Sequence, residues 1–382
     1  MTADLKEIRG QLDGIDDQLT DLFARRMRLV AQVAEIKQAQ GLPILDTGRE
    51  REIVNRLTLR AGEDLERHTK LLYQTLFSVS RAYQAERIHP ADPGEDALEQ
   101  AVAGAPVPFP ARAMVACQGT EGAYAQQACT RMFEYADILY MNTFNDVFNA
   151  VEKGMCPFGV LPIENSTAGS VTQVYDLMEQ HRFHIVRAVR QRIEHRLLAL
   201  PGAELAGIRE VVSHEQALRQ CDAFLAAHPG IRVTPMANTA MAAAYVASSG
   251  RRDLAAIASR ESGMLYGLET LGESVANTEN NYTRFICIAR DMTVYEGAGK
   301  ISLMLSAAHR PGSLCRLLSH IAAAEVNLTK LESRPIPGKD FEFRFFFDIE
   351  ASLRKESVRT LIRQLRGDAD RFVLLGNYEE LR

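Results

Sequence analysis

Residues 5–22, LKEIRGQLDGIDDQLTDL, repeat apolar side chains in steps of three and four. The repeating positions are Leu5, Ile8, Leu12, Ile15, Leu19 and Leu22. This spacing is typical of a heptad seam along one face of an α-helix. No glycine interrupts 15–40 and no proline precedes Pro43, so we expect one helix of more than about 30 residues, ending near Gly41. A helix of that length usually needs a partner helix along its side.

Two cations, Arg26 and Lys37, continue this seam. Either both side chains reach out to solvent, or the seam binds a buried anion that pairs with them. The two are 11 positions apart, close to three turns, so they share one face at a Cα separation of about 16 Å. Arg9 lies about 25 Å before Arg26 on the same helix. If Arg9 contacts the same small ligand, it must come from another chain.

Two more helices are predicted in this first segment. Asp46 is the candidate N-cap of a helix that ends near Gly62, and another helix covers 65–88. Residues 89–112 then hold five of the 14 prolines, which predicts a linker. The chain therefore starts with an all-α domain over 1–90, followed by a linker over 91–112.

The rest of the chain is predicted to contain both strands and helices, in two domains with different element orders. From Ala113, short apolar runs alternate with helical stretches, which predicts an α/β domain of two lobes over 113–291, with a ligand between them. After the glycine turn at 297–299, the order βαββαβ predicts an α+β, ferredoxin-like domain over 299–382. Its last strand is predicted at 371–375.

Composition limits the function classes. The 382 residues carry a net charge of −5 and are 46% hydrophobic, which indicates a globular protein and argues against nucleic acid or an anionic membrane as main partner. No apolar run approaches the length of a membrane-spanning helix, and residues 1–7 lack a signal-peptide pattern, so a cytoplasmic protein is expected. The six cysteines are scattered without C-x-x-C pairs, which predicts reduced thiols and no structural metal.

The helical segment resembles the AroQ class of chorismate mutases. The residues that carry the resemblance are Arg9, Arg26, Lys37, Asp46, Arg49, Glu50, Ser80 and Gln84. The resemblance implies an intertwined helical dimer in which Arg9 enters the partner's site. The reaction, chorismate to prephenate, is a pericyclic rearrangement that needs neither nucleophile nor metal. Its site must bind two carboxylates and stabilise negative charge on the ether oxygen.

The same resemblance implies a role for each of the eight residues. Arg9 and Arg26 would bind the carboxylates, and Lys37 and Gln84 would donate to the ether oxygen. Glu50 would hold the ring hydroxyl. The remaining three, which would orient these groups, are Asp46, Arg49 and Ser80. No cofactor is expected.

Polar stretches in the α/β segment follow predicted strands, where such folds bind ligands. They are the glycine turn 118–124 (QGTEGAY), 162–170 (PIENSTAGS), 213–216 (SHEQ), 238–240 (NTA) and 281–285 (NYTRF). The glycine turn is not a dinucleotide fingerprint, because G-x-G-x-x-G is absent. Together the stretches resemble prephenate dehydratase over about 113–290. Two positions depart from the family pattern: Ala125 stands where Ser or Thr is usual, and Glu215 replaces a proline.

The dehydratase resemblance implies loss of CO2 and of the ring hydroxyl from prephenate, giving phenylpyruvate. Thr283 is the leading hydrogen-bond donor to the departing hydroxyl, and Arg284 the leading carboxylate clamp. The alternatives are that Glu164 is the acid or only a structural hub, and that Arg284 only pairs with a structural acid. The residues expected to bind and orient substrate are Glu164, Asn165, Ser166 and Gln216.

The C-terminal segment resembles the ACT domain of prephenate dehydratases. The stretches that carry the resemblance are Gly312-Ser313-Leu314, with Ser in place of the usual Ala, and Glu332-Ser333-Arg334-Pro335. The resemblance implies a phenylalanine site at a dimer interface and feedback inhibition.

The three resemblances together predict a bifunctional enzyme that takes chorismate through prephenate to phenylpyruvate. Two rivals remain: a non-catalytic sensor of aromatic acids, and an enzyme that keeps only the mutase activity, for which Ala125 gives the reason. Chorismate, prephenate and phenylalanine are the expected ligands of a homodimer or higher homo-oligomer.

Overall fold

The computed structural model describes residues 4–88, 93–272, 275–336, 338 and 342–382. The first helices are α1 Leu5–Gln40, α2 Thr47–Ala61 and α3 Glu66–Ile88, with a 3-10 turn at Glu63–Leu65. The predicted long helix is confirmed.

The predicted helix boundaries at Gly41 and Asp46 are also confirmed. Gly41 takes the left-handed conformation that ends α1, with φ 64°. The Asp46 carboxylate accepts a hydrogen bond from the backbone N–H of Arg49 at 2.9 Å and caps α2. Local sequence signals therefore suffice to set these ends.

The first half of α1 leaves its apolar seam exposed. Leu5, Leu12 and Leu19 are 61%, 52% and 55% exposed, although α1 packs on α3. The buried residues of α1 are Ala31 and Ala34, in its second half. A stripe of large apolar side chains that its own chain leaves uncovered is unusual for a folded monomer.

The predicted linker over 91–112 contains a helix that its prolines did not indicate. A helix, α4, covers Pro93–Val102, and Leu98 is 2% exposed in the core of the C-terminal domain. Phe109 then packs against Phe133 and Phe158, with ring centroids 4.9 and 5.7 Å apart. Proline is tolerated in the first turn of a helix, where its missing N–H has no intrahelical partner. Residues 89–92 of the predicted linker lie outside the described residues.

The first α/β lobe surrounds a mostly parallel sheet. Its elements are β1 Arg112–Gln118, α5 Tyr124–Met132, β2 Tyr135–Met141, α6 Phe144–Glu152, β3 Phe158–Asn165, β4 Gly169–Ser170, α7 Thr172–His181 and β5 His184–Arg192.

The second lobe has a five-stranded sheet in the order β10-β6-β9-β7-β8. Its elements are β6 Arg196–Ala199, a 3-10 turn Leu205–Gly207, β7 Glu210–His214, α8 Glu215–Arg219, α9 Asp222–Ala226, β8 Arg232–Met236, α10 Thr239–Ser249, β9 Leu254–Ala258, α11 Arg260–Leu265 and β10 Glu269–Thr270. The chain then returns to the first lobe with β11 Tyr282–Ala289, between β3 and β5.

The C-terminal segment has the predicted order βαββαβ. Its elements are β12 Lys300–Ser306, α12 Ser313–Ala323, β13 Asn327–Pro335, β14 Phe343–Glu350, α13 Glu356–Asp368 and β15 Arg371–Leu381. The strands pair in the order β13-β14-β12-β15, as in a ferredoxin-like sandwich.

The last strand is longer than predicted and joins two sheets into one. β15 continues past residue 375, and its residues Glu379–Leu381 pair in parallel with 187–189 of β5. The sheet therefore runs unbroken in the order β13-β14-β12-β15-β5-β11-β3-β1-β2. Gly376 permits this crossing, because a Cβ there would lie 2.1 Å from the carbonyl oxygen of Ile185.

Two further sequence expectations can be compared with the structure. In the part of the chain that the structure describes, no helix is both long and apolar enough to cross a membrane. All six cysteines lie in the described part of the chain and none forms a disulfide: five thiols are buried, and Cys315 is exposed.

Candidate active sites

The two α/β lobes enclose a cavity of about 450 Å³. It opens where β1, β3 and β7 end, with β11 entering beside them, which is the usual ligand position in such sheets. Its lining residues include Gln118, Tyr124, Ala125, Asn165, His195, His214, Gln216, Gln220, Asn238 and Thr283. Among the described residues that line it there is no Lys, Arg, Asp or Glu. The cavity offers neutral hydrogen-bonding groups.

Asn165 and Thr283 form the polar centre of this cavity. Asn165 ends β3 and Thr283 lies beside it on β11. The Asn165 amide Nδ2 donates to Thr283 Oγ1 at 2.9 Å and to Asn281 Oδ1 at 2.8 Å. Since the Thr283 oxygen is the acceptor in this bond, its own hydroxyl proton is directed elsewhere, and the side chain lines the cavity. The structure thus brings together the predicted donor and one predicted orienting residue.

Gln220 and His195 were not predicted, although both line the same cavity. Gln220 follows α8 and contacts Thr167 Oγ1 at 2.7 Å and Asn281 Nδ2 at 3.1 Å. His195 is buried, and its Nε2 lies 2.9 Å from Gln220 Oε1. Burial lowers the pKa of His195, so the imidazole is neutral near pH 7. No local motif marks Gln220, because these partners lie 25 to 61 positions away.

Other predicted residues divide between cavity and scaffold. Gln216 lines the cavity, as expected for a substrate contact, and so does Ala125. Ser166 is not among the described residues that line the cavity. Its backbone N–H donates to the carbonyl oxygen of Tyr282, and its hydroxyl accepts from the Tyr282 N–H at 2.9 Å. Glu215 starts α8 and is exposed, so the missing proline has no contact in the cavity.

Arg284 does not point into the cavity, and the prediction of a carboxylate clamp is contradicted. Thr283 and Phe285 line the cavity, so Arg284 between them faces the opposite side of the sheet. Its guanidinium, 9% exposed, pairs with Asp348 of β14 at 2.6 Å and Glu164 of β3 at 3.2 Å. Burial raises the pKa of Asp348, but Arg284 and Ser302 offset it, and the net pKa is below its ordinary value.

Glu164 faces the same way, and its predicted contact with substrate is contradicted for the same reason. Its neighbour Asn165 lines the cavity, while the Glu164 carboxylate pairs with Arg284 and, at 3.2 Å, with Lys330 of β13. The alternative interpretation, a structural hub, fits these contacts. Arg284 and Glu164 join the dehydratase-like lobe to the C-terminal domain.

Arg284→Met is expected to lower the free energy of unfolding by about 3–5 kcal/mol, because it leaves Asp348 buried without its cation. Chemical denaturation measures this. The matched control is Arg190→Met on β5: its side chain is half exposed, and its partner Glu380 keeps a second cation, Lys300, so the loss should be under about 1 kcal/mol. Asp348→Asn in the Arg284→Met background should recover part of the loss. Unchanged stability with a raised KM for prephenate would restore the clamp assignment.

The helical domain gathers most of the predicted mutase residues. Arg26 is half-buried on α1, bonds to the Ser80 hydroxyl of α3 and lies 5.8 Å from the Phe77 ring centre. Burial lowers the pKa of Arg26 without removing its charge. Lys37 is also half-buried and donates to the carbonyl oxygen of Ile44. Neither seam cation simply extends into solvent.

The rest of the predicted mutase set differs in exposure. Glu50 pairs with Arg81 of α3, a cation that is not among the eight predicted mutase residues. Gln84 is buried, its Nε2 donates to Ser80 O at 3.3 Å, and its Oε1 has no partner in the described structure. The exposed members are Arg9, Asp46 and Arg49. The Arg9 side chain does not take part in any hydrogen bond or ion pair found among the described residues of its own chain.

The predicted regulatory residues lie in two places. Gly312 caps α12 with φ 82°, Ser313 is buried and Leu314 packs on the C-terminal core. On β13, Ser333 faces solvent, whereas Glu332 and Arg334 face the first lobe. Glu332 bonds to the Ser170 hydroxyl, and Arg334 lies 4.5 Å from the Tyr175 ring centre. The motif residues therefore do not all face one side, because neighbours in a strand alternate.

Comparisons with known proteins agree with this division. Residues 8–85 match the family model of chorismate mutase type II, and 115–293 match that of prephenate dehydratase. The bifunctional chorismate mutase/prephenate dehydratase of Escherichia coli K12 is 31% identical over 98% of this chain and 96% of its own length.

Two solved structures resemble the part after the helical domain. The quorum quenching acylase GqqA has 30% identity and a TM-score of 0.62, over 70% of this chain and 98% of its own. Prephenate dehydratase from Arthrobacter aurescens, in complex with L-Phe, has 26% identity and a TM-score of 0.63, over 70% and 89%. With both family models matched and the E. coli relative similar over almost its whole length, the chain belongs to the bifunctional chorismate mutase/prephenate dehydratase family.

Proposed function

We propose that the chain converts chorismate to prephenate in its helical domain and prephenate to phenylpyruvate in the cavity between the α/β lobes. The observation that carries the second step is the bond from Asn165 to Thr283. It occupies the threonine oxygen and leaves the hydroxyl proton available to the departing ring hydroxyl. The threonine donates a hydrogen bond to the departing hydroxyl, which takes up a proton from solvent and leaves as water while CO2 is lost and the ring becomes aromatic.

The mutase step is supported by the two half-buried cations on the α1 seam. A rearrangement without covalent catalysis needs a site that holds the dianion and stabilises charge on the ether oxygen. We assign Arg26, with Arg9 of a second copy, to the carboxylates, and Lys37 and Gln84 to the ether oxygen. Arg81 orients the Glu50 carboxylate for the ring hydroxyl.

Since Arg284 faces away, we propose that neutral groups bind prephenate's carboxylates in the cavity. Gln216 lines it on one side, and the first turns of α5 and α10 open onto it near Ala123 and Asn238. Helix N-termini present unpaired backbone N–H groups and favour anions. This replaces the cationic clamp by several hydrogen bonds.

The experiment for both activities is one assay. Purified protein given chorismate, without added metal or nucleotide, is expected to form phenylpyruvate, followed by its absorbance in alkali. Accumulation of prephenate alone would leave only the mutase. Failure to consume chorismate, with tight binding of prephenate, would favour the non-catalytic sensor.

The similarity to GqqA raises an acylase as a second candidate, and the cavity does not favour it. Acyl transfer by a hydroxyl or thiol needs a neighbouring base. In the described cavity no Ser, Thr or Cys side chain is hydrogen-bonded to a histidine: His195 pairs with Gln220, and His214 accepts from the Gln216 backbone. We therefore propose the dehydratase.

We propose that the active enzyme is at least a homodimer. The support is the exposed apolar seam of α1, including Leu5, Leu12 and Leu19, together with the exposed position of Arg9. A second copy packed along the seam removes these side chains from water. It also brings a cation to each site that the same straight helix cannot deliver.

We propose that the C-terminal domain is an ACT domain that binds phenylalanine and inhibits the dehydratase. The complex of the A. aurescens protein with L-Phe supports this assignment. The motif strand β13 touches the first lobe through Glu332 and Ser170, close to the end of β3 that carries Asn165. A ligand that prefers one position of β13 therefore acts on the catalytic lobe.

Ser333→Ala is expected to weaken inhibition of dehydratase activity by phenylalanine about tenfold, because one exposed hydroxyl hydrogen bond to the ligand is lost. The inhibition curve measures this, and activity without phenylalanine should be unchanged. Thr329→Ala on the same strand is the control. Equal inhibition of wild type and Ser333→Ala would remove Ser333 from the regulatory site.

A further inference from the structure

We propose that Gln220 is a positioning residue of the dehydratase reaction, which holds Asn165 in place against the Thr283 hydroxyl through Thr167. The proposal rests on the dehydratase function proposed above. The supporting residue and the donor lie in opposite lobes. Gln220 follows α8 of the second lobe, whereas Asn165 and Thr283 belong to the first.

The direction of the network starts at two backbone amides. The N–H groups of Thr167 and Ala168 lie 3.1 and 2.9 Å from Asn165 Oδ1. Backbone N–H groups only donate, so this atom of Asn165 must be the carbonyl oxygen. Its Nδ2 is then the donor to Thr283 Oγ1 and to Asn281 Oδ1. The orientation of the Asn165 amide is fixed without reference to a ligand.

The orientation of the Asn281 amide determines that of the Gln220 amide. Because Asn281 Oδ1 accepts from Asn165, its Nδ2 faces Gln220 at 3.1 Å and needs an acceptor there. This atom of Gln220 must be Oε1, which leaves Nε2 to donate to Thr167 Oγ1 at 2.7 Å. The Thr167 hydroxyl in turn donates to Asn165 Oδ1 at 2.7 Å. Every amide in the ring therefore has one permitted orientation.

His195 holds the far side of Gln220. Since Gln220 Oε1 is an acceptor, His195 Nε2 carries the proton, and Nδ1 is left without a partner in the described structure. The ring is 2% exposed, so it cannot turn freely. Gln220 is thus fixed from both sides, and the ring of bonds closes only when the two lobes are together. Closing the lobes therefore adds the support of Gln220 to Asn165, the residue that bonds to Thr283.

The test is Gln220→Glu, which keeps the shape and removes the Nε2 donor. Thr167 then turns its proton to the new carboxylate, and Asn165 loses one of the donors that hold it. We expect dehydratase kcat to fall about 10- to 100-fold with KM within about twofold, while mutase activity of the same protein is unchanged. The control is Arg219→Gln, which changes the exposed last residue of α8, next to Gln220, with the same change in net charge.

Thr167→Val should give a similar or smaller loss, since Gln220 Nε2 also lies 3.4 Å from Asn165 Oδ1, and the double variant should lose no more than Gln220→Glu alone, because both break the same path. Additive losses, or a Gln220→Glu enzyme with wild-type kcat, would overturn the positioning role. If Gln220→Glu does not fold, Gln220→Met replaces it and must show the same split. A wild type that makes no phenylpyruvate would instead remove the proposed function, so the two failures are distinct.

Discussion

Thr283→Val is expected to lower dehydratase kcat by about 10³-fold, because the only hydroxyl that Asn165 orients toward the cavity is replaced by a methyl group of the same size. Without this hydrogen bond, the ring hydroxyl is a poorer leaving group, because the negative charge that grows on its oxygen as the C–O bond breaks is not stabilised. The measurement is phenylpyruvate formation from prephenate. Mutase activity should be unchanged, since the helical domain has a separate site.

Thr283→Ser is the matched control. It keeps the hydroxyl and should keep activity within about tenfold, the loss coming from the freer rotation of serine. The melting temperatures of both variants should stay close to wild type. If Thr283→Val retained most of its activity, the donor would have to be sought elsewhere in the cavity, with Gln216 and His214 the next candidates.

Arg9→Ala and Lys37→Ala are each expected to lower mutase activity by about 10²- to 10³-fold, because each removes a cation from a site that binds a dianion. Dehydratase activity of the same proteins should be unaffected. The two residues would reach a given site from different copies of the chain. Coexpression of the two variants is therefore the sharper experiment.

In a mixed dimer, one site lacks both residues and the other lacks neither. Random pairing of equal amounts makes half the dimers mixed, so about a quarter of wild-type mutase activity should return. Mixing Arg9→Ala with itself is the control and should return nothing. Absence of recovery in the mixed sample, with dimers present by light scattering, would place Arg9 and Lys37 in one chain's site.

How far sequence reasoning reaches depends on the range of the interaction. The helices were predictable, because the α1 seam, Gly41 and Asp46 act within a turn or two of chain. Helix α4 was not, since the prolines in and around it are typical of a linker and its stability comes from Leu98, which packs on a domain about 200 residues later. The resemblance to a known family identified eight candidate mutase residues, but it did not identify Arg81, which pairs with Glu50.

The misplacement of Arg284 was avoidable. Thr283 and Arg284 are neighbours in a predicted strand, and neighbours in a strand face opposite sides. The same alternation separates Glu164 from Asn165 and Ser333 from Glu332. Gln220 could not be found in this way, because its role arises only when β3, β11 and α8 meet.

The shared strand β15 has a consequence for how the chain folds as it is made. Arg187 on β5 bonds to Glu379 on β15, 192 positions later. Until residues 379–381 leave the ribosome, β5 is an unpaired edge of the central sheet, and such edges attract foreign strands. The central sheet is therefore completed only after β15 is made, long after the residues of β5 are synthesised.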